Sequence, residues 1–384
     1  MFILASLTLT LWLLLTADWL LGIWQVDRLT LELKQTDLPT LSVVIPALNE
    51  EGAIESSLKS VLAQAYPGLE VIAINDRSTD RTGAILDRLQ KTYPQLQVVH
   101  IEALPAGWLG KNHALYLGAQ KAQGEWLLFT DADVKFQPGA LGAAVSYALE
   151  HKLEHLTAVP HMAVKSPWLK SFVAAFMLLF SFGIMRASAP ATNAYVGLGA
   201  FNLLRRSVYK AVGGHTPIAL RPDDDMMLGK LVKRAGLRQR VVFATELMQV
   251  EWYTSVREAV QGLNKNAFAG LSYSLPLVLL VTGTLLVTHI FPFFAVFLTA
   301  GWTQLVYALV LLNILLVYAL GIRLTKLSPV YAALHPLGTA ILVYATLESA
   351  FKALGQGGIR WRGTFYSLEA LKKNTVKSKG VKKA

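Results

Sequence analysis

The chain contains no cysteine. That excludes a disulfide framework, a thiolate metal site and a cysteine nucleophile. Charge is also scarce: 16% of the 384 residues are Asp, Glu, Lys or Arg, 53% are hydrophobic, and the mean hydropathy is +0.42. Water-soluble domains hold nearer about 25% charged residues, so a wholly cytosolic globule is excluded. Residues 25–165 and 202–266 nevertheless carry charge at ordinary globular density, which excludes a membrane bundle throughout. The composition describes a hybrid, one sizeable water-soluble domain joined to membrane helices.

Residues 1–24 hold one ionisable side chain, Asp18, and are long enough to span a bilayer. They lack the basic start and small-residue cleavage site of a signal peptide, so they read as a retained anchor with Asp18 at the interface. Arg28 and Lys34 follow and place the next domain in the cytoplasm by the positive-inside trend. From Leu271 to Leu320 the sole ionisable side chain is His289, which predicts two helices, about 273–296 and 303–322. A third apolar stretch, 329–351, is interrupted by His335-Pro336 and contains Glu348. Three spans after the domain would leave the basic end outside. Either this stretch falls short of crossing, or 271–322 holds a further helix.

From Lys352 to Ala384 nine Lys and Arg face a single acid, Glu369. A basic run beside an apolar segment suits anionic head groups on the cytoplasmic side better than it suits a nucleic acid. The expected organisation is an anchor at 1–24, a cytoplasmic domain at 41–266, membrane helices at 271–351 and a basic cytoplasmic tail at 352–384. The whole reads as a multi-pass protein of the cell (inner) membrane, with no nucleic-acid partner.

Within 41–165, short apolar runs alternate with helical spacing. LSVVIP (41–46), VIAIN (71–75), Val98–Ile101 and EWLLFT (125–130) read as strands; 50–65, 79–93 and 111–123 read as helices. This alternation predicts an α/β fold with a mostly parallel sheet covered on both faces. Ligands of such sheets bind at the carboxyl ends of the strands, so the residues there decide the function.

Thr130-Asp131-Ala132-Asp133 leaves the fourth strand. Two carboxylates at i and i+2 in that place can present hard oxygen ligands to Mg²⁺ or Mn²⁺, a cation usually shared with substrate phosphates. NDRSTD (75–80) and PALNEE (46–51) end two other strands. Turn chemistry accounts for their Asn, Asp and Ser; two acid-bearing loops on consecutive strand ends also suit one nucleotide pocket, with Asp76 accepting from a base or ribose. Arg221-Pro-Asp223-Asp224-Asp225 precedes MMLGKLVKRAG. Acids there cap a helix, and a closely packed third carboxylate gains the raised pKa of a general base. Lys111 either starts a helix or offsets a diphosphate.

Residues 168–187 form an apolar stretch ended by Trp168, Lys170 and Arg186, which reads as a buried core helix or as an interfacial helix admitting a lipid. The interfacial reading is preferred, and it puts Gly197–Asn202 near the acceptor.

VVIPALNEEGAI (43–54), NDRSTD (75–80), GWLGKNHAL (107–115), TDADV (130–134) and PDDDMMLG (222–229) together resemble family 2 inverting glycosyltransferases of the GT-A fold, over roughly residues 41–266. With the apolar flanks and IRWRGTFY (359–366), the chain is most similar to the membrane-bound branch that glycosylates lipids, which includes ceramide-glucosyltransferase-like, hopanoid and carotenoid-type enzymes. The resemblance implies that Pro46, Asn49 and Glu50 line a uracil or ribose pocket and that Asp76 contacts the base. It implies that Asp131 and Asp133 hold a divalent cation and the donor diphosphate. Asp225 is then the base that deprotonates the acceptor, with Asp224 second because three consecutive Asp blur the register. Processive members carry Q-x-x-R-W near the membrane; here Gln261 is followed by Asn264-Lys265, and Arg360-Trp361 lacks the Gln. This favours transfer of one sugar, with a UDP-sugar the expected donor, to a lipid hydroxyl or carboxyl, with a processive polysaccharide synthase as the alternative.

Overall fold

A computed structural model describes the chain except residues 33–34, 36, 190–193, 327 and 374–384. The expectation placed on Lys34, and the basic residues from Lys377 onward, lie outside the described residues.

Helix α1 (Phe2–Ile23) opens the chain. The sheet begins with β1 (Leu41–Ala47), α2 (Ile54–Leu62), β2 (Leu69–Asp76), α3 (Thr82–Thr92) and β3 (Leu96–Ile101). It continues with α4 (Gly110–Lys121), β4 (Trp126–Phe129), β5 (Lys135–Phe136), α5 (Ala140–Glu150), β6 (His155–Val159) and β7 (His161–Met162). After α6 (Pro167–Ile184) come β8 (Asn202–Arg205), α7 (Arg206–Ala211), α8 (Asp224–Arg234), β9 (Gln239–Phe243) and β10 (Met248–Val250). The remainder is α9 (Val256–Leu263), α10 (Ala267–Gly270), α11 (Leu275–Leu285), α12 (Phe291–Leu298), α13 (Gly301–Thr325), α14 (His335–Gly355), β11 (Gly358–Trp361), β12 (Thr364–Ser367) and α15 (Leu368–Lys373).

Two compact units result. One comprises residues 26–162 and 186–251, the other residues 1–25, 163–185 and 252–372. The first contains the main sheet, in the order β3-β2-β1-β4-β8-β6-β9, parallel except where β8 runs against β4 and β6. Strand side chains alternate between two cores, as pleating requires. Val43, Ile45, Val71, Ala73, Trp126 and Leu128 pack on one face with α2 and α5. Val44, Ile72, Ile74, Leu127 and Phe129 pack on the other with α4 and α8. Both faces are therefore buried, which is why β1 reads as an unbroken apolar run. Pro46 lies past the last rung to β4, Val44↔Phe129, where a missing N–H costs no bond on that side. A separate small sheet has the order β5-β10-β7.

The second unit is helical. Among the described residues, five helices are long and apolar enough to cross a membrane: 2–23, 167–188, 275–298, 301–321 and 335–355. Polar bonds tie them: Thr16 Oγ1 donates to Asn313 Oδ1 at 2.7 Å, Trp12 Nε1 to the Thr288 carbonyl at 2.9 Å, and Trp19 Nε1 to Ser181 Oγ at 2.9 Å. His335 joins His289 and Tyr318, each at 3.0 Å. Inside a bilayer such pairs replace water as partner.

Three boundaries differ from the sequence reading. The 329–351 stretch, suspected of falling short, holds the 21-residue α14, long enough to span; His335-Pro336 begins this helix instead of interrupting it, since proline is tolerated in a first turn. The sheet-bearing unit ends at Glu251 rather than 266, and α6 belongs with the helical unit. There Gly338 permits a close approach to α6: a Cβ would stand 2.3 Å from the Ser171 carbonyl oxygen. The strands on either side of α6, β6 and β8, pair in one sheet, so α6 cannot cross a membrane once. Finally, 352–373 is not a free tail: the β11–β12 hairpin buries Trp361 and Tyr366, and Lys265 Nζ lies 5.0 Å over the Trp361 ring.

Candidate active site

Parallel pairing aligns the carboxyl ends of β1 and β2, Ala47 beside Asn75, with β4 next to β1. The loops after these strands therefore emerge along one edge. Asn49 is left-handed, with φ +56°, a conformation Asn tolerates. Its Oδ1 accepts the Thr79 N–H at 2.8 Å and its own N–H donates to Ser78 Oγ at 3.1 Å. The Glu50 N–H donates to Thr82 Oγ1 at 2.8 Å. Asn49 and Glu50 thus staple the first two loops together, while Pro46 is buried within β1.

Asp76 ends β2 fully buried, its two oxygens taken by Arg77 Nε at 2.8 Å and Nη2 at 3.3 Å. Gly110 leaves room for this pair: a Cβ there would meet Asp76 Oδ2 at 2.3 Å. Arg77 as partner of Asp76 was not evident from the sequence.

Behind the third loop, Lys111 from the first turn of α4 reaches Asp131 Oδ1 at 2.7 Å and Asp224 Oδ1 at 3.9 Å. Burial disfavours its charge, but Asp131, Asp224 and Asp225 outweigh burial and push its pKa above the usual value. The sequence left Lys111 between starting a helix and offsetting a diphosphate; it lies in the first turn of α4, with its ammonium against the carboxylates of Asp131 and Asp224.

The loop at 197–202 closes over this cluster. The Asp131 N–H donates to the Gly199 carbonyl at 3.0 Å, and Thr130 Oγ1 to the Ala200 carbonyl at 2.8 Å. In return the Gly199 N–H donates to Asp225 Oδ2 at 2.7 Å, and the Met226 N–H to Asp225 Oδ1 at 2.7 Å. A side chain at 199 has no room, since its Cβ would lie 2.5 Å from Asp131 Oδ2. Lys111, Asp131, Gly199, Asn202, Asp224 and Asp225 enclose a cavity of only about 10 Å³, enough for about one water.

The three consecutive Asp separate cleanly. Asp223 is neutralised by Arg221, with contacts of 2.8 and 2.6 Å. Asp224 is 3% exposed; burial first, then Asp225 and Asp131 against the pull of Lys111, raises its pKa to about 7. Asp225 is raised as well, mainly by burial, with Lys111 and the Met226 N–H opposing. Asp133 reaches about 7 through burial and the charges of Asp131 and Glu50. The fold thus gathers Glu50, Lys111, Asp131, Asp133, Asp224 and Asp225 into one electrostatic cluster, with Asn49 and Asp76 in the loops beside it. Gly199 and Arg221 join them as residues whose roles the sequence alone did not show.

A family model described as Glycosyl transferase family 2 matches residues 42–213. The 4,4'-diaponeurosporenoate glycosyltransferase of Staphylococcus aureus strain bovine RF122 / ET3-1 is 26% identical over 343 residues, 86% of this chain and 88% of that protein. Its counterpart in strain MRSA252 is 26% identical over 342 residues, 85% and 88% of the two chains. Among solved structures, a mannosyltransferase from Pyrobaculum calidifontis in complex with GDP-Man and Mn²⁺ superposes with a TM-score of 0.53 at 18% identity, covering 91% of this chain and 99% of the other. The expected GT-A architecture is the one observed; residues 42–213 match the family 2 model and the chain is a glycosyltransferase.

Proposed function

We propose that the chain transfers one sugar, with inversion, from a nucleotide-sugar to the hydroxyl or carboxyl of a membrane lipid. The observation that carries this reading is the cluster joining Lys111, Asp131, Asp224 and Asp225 at the carboxyl edge of a parallel sheet. A lipid acceptor is supported by the relatives, whose name specifies a diaponeurosporenoate, and by five apolar helices in the same chain. A UDP-sugar is the first donor to test.

The proposed division of labour follows from the geometry. Asn49, Glu50 and Pro46 shape the nucleoside side of the edge, and Asp76, rigid against Arg77, takes the base. Lys111 offers its ammonium to the diphosphate. Asp225, fixed by two backbone N–H groups, accepts the proton of an acceptor hydroxyl as oxygen attacks the anomeric carbon and the nucleotide diphosphate leaves from the opposite face. Asp224 holds Lys111 in place and is the second candidate base.

The residues present also fit a divalent cation. Asp133 is a half-buried oxygen donor whose pKa is lifted by desolvation and by its acidic neighbours Asp131 and Glu50, a charge excess that a hard cation would relieve. No group of three His, Asp or Glu side chains suited to a metal occurs among the described residues. Asp131 and Asp133 would therefore be a partial set completed by the donor diphosphate. When bound, the ion offsets the charge growing on the departing diphosphate.

The test is product analysis. Purified protein receives labelled nucleotide-sugar and two lipids of equal chain length, one ending in a hydroxyl and one in a carboxylate. A singly glycosylated lipid of opposite anomeric configuration is expected. A carboxylate is already deprotonated, so Asp225→Asn should spare that acceptor far more than the alcohol. Retained configuration contradicts inversion, and a polymeric product would instead support the polysaccharide-synthase reading.

A further inference from the structure

His155 belongs to none of the motifs at the sheet edge, yet it is fully buried. It sits on β6 between β8 and β9, with Gln239 beside it on β9 and Asn202 opposite Thr157 on β8. The side chains of Gln239, His155 and Asn202 form one continuous run of hydrogen bonds. Gln239 Oε1 accepts the Val196 N–H at 3.0 Å, and its Nε2 donates to the Gly229 carbonyl at 3.0 Å and to His155 Nδ1 at 2.7 Å. On the other side His155 Nε2 bonds Asn202 Oδ1, and Asn202 Nδ2 donates to the Asp225 carbonyl at 3.4 Å.

A backbone group at each end fixes every direction in between. The Val196 N–H can only donate, so Gln239 presents its oxygen there and its NH₂ to the imidazole. His155 Nδ1 is therefore the acceptor, and Nε2 carries the proton that is donated to Asn202. Only a neutral imidazole both accepts and donates. Burial pushes the pKa of His155 down to about 4 and keeps the ring in that form at neutral pH.

This relay grips the 196–202 loop at both of its ends, Val196 and Asn202. Between them the loop lies flush on α8: a Cβ at Gly197 would collide with the Asp225 carbonyl, and one at Gly229 with the Val196 carbonyl. Midway stands Gly199, whose N–H donates to Asp225 Oδ2. His155 and Gln239 do not line the small cavity beside Asp225, so they act on it through the loop.

We propose that His155, as its Nε2-protonated tautomer, is a positioning residue for Asp225, fixing through Gln239 and Asn202 the loop that presents the Gly199 N–H to the Asp225 carboxylate. This rests on Asp225 being the base. Transfer is measured to the lipid alcohol and to the lipid carboxylate, which needs no base, in full-length unaltered, Asp225→Asn, His155→Leu and doubly substituted protein. His155→Leu should lower kcat for the alcohol about tenfold, short of the roughly hundredfold cost of a 1 Å displacement. The carboxylate rate and the affinity for nucleotide should hardly change. Added to Asp225→Asn, the substitution should cost nothing further, since both act through one group. His155→Gln, which carries an acceptor and a donor side by side, should recover most of the rate. Equal losses on the two acceptors, or a loss that persists in full on top of Asp225→Asn, would make His155 merely structural and overturn the proposal. Full activity of His155→Leu beside a crippled Asp225→Asn would overturn it alone, whereas normal alcohol transfer by Asp225→Asn would remove the base assignment itself. If His155→Leu does not fold, Gln239→Met, which cuts the relay at its far end, is judged by the same outcomes.

Discussion

Both units bury polar side chains, but they bury them differently. In the helical unit several such groups pair with neutral partners: Thr16 with Asn313, Trp19 with Ser181, His335 with both His289 and Tyr318. At the edge of the sheet, four carboxylates share one buried ammonium, and two of them are driven to pKa values of about 7. Complementary pairs hold helices together. An excess of like charge is stable only in a place meant to meet a ligand of opposite charge. The contrast separates structural polarity from catalytic polarity, and it can be attacked from either side.

The largest effect is expected at the sheet edge. Asp225→Asn should cut transfer to a lipid alcohol by about 10²–10⁴-fold, the usual span of general base catalysis. Its Tm should stay close to that of the unaltered chain, because the amide still accepts one of the two N–H bonds. A large fall in Tm would make Asp225 chiefly structural.

Gly199→Ala comes next. The new methyl would lie 2.5 Å from Asp131 Oδ2, and a displacement approaching 1 Å can cost about 10²-fold in rate. Steady-state kinetics should show kcat falling while the far-ultraviolet circular dichroism stays unchanged. Normal kcat would mean that the 197–202 loop yields freely and does not set the geometry.

Acid should expose the buried histidines of the sheet-bearing unit. Burial is the main cause holding His155 near pKa 4 and His215 near 3, both below the ordinary 6.5. Their native states stay neutral while the unfolded chain takes up protons, so stability should be intact above about pH 6.5. It should fall as pH drops toward 4, by up to about 1.4 kcal/mol per unit for each histidine. Thermal unfolding across that range measures it, and replacing His155 by Gln should flatten the profile.

The smallest effect is expected in the helical unit. Thr16→Val removes one interhelical bond, typically worth about 0.6 kcal/mol within a membrane. A slight fall in Tm with unchanged transfer is expected. Loss of activity without loss of stability would blur the contrast between the units.

Much of the fold was legible because burial leaves a plain signature. VVI, VIAI and WLLF are β-branched and aromatic runs buried on both faces, and the acids that follow them fall at strand ends by necessity. That logic puts Asp131 and Asp133 at the strand edge, whereas Asp225, in the first turn of α8, is marked by the family resemblance. What stayed hidden depends on pairs distant in sequence or on competing local rules. Gly199 gains its meaning only when its loop is laid against Asp131 and Asp225. The grip of Arg77 on both oxygens of Asp76 has no signature in the sequence. Pro336 looked like a helix breaker, yet it occupies a first turn. The edges of the units were obscured because α6 and α9 are amphiphilic enough to read as parts of either.

The most direct test of the catalytic cluster is nucleotide release by the detergent-purified protein, using a panel of nucleotide-sugars with total membrane lipid, with and without EDTA, beside Asp131→Asn. The expected result is lipid-dependent release from one donor that both EDTA and the substitution abolish. Release that persists at full rate in EDTA and in Asp131→Asn would contradict the assignment, as would nucleotide binding without release from any donor.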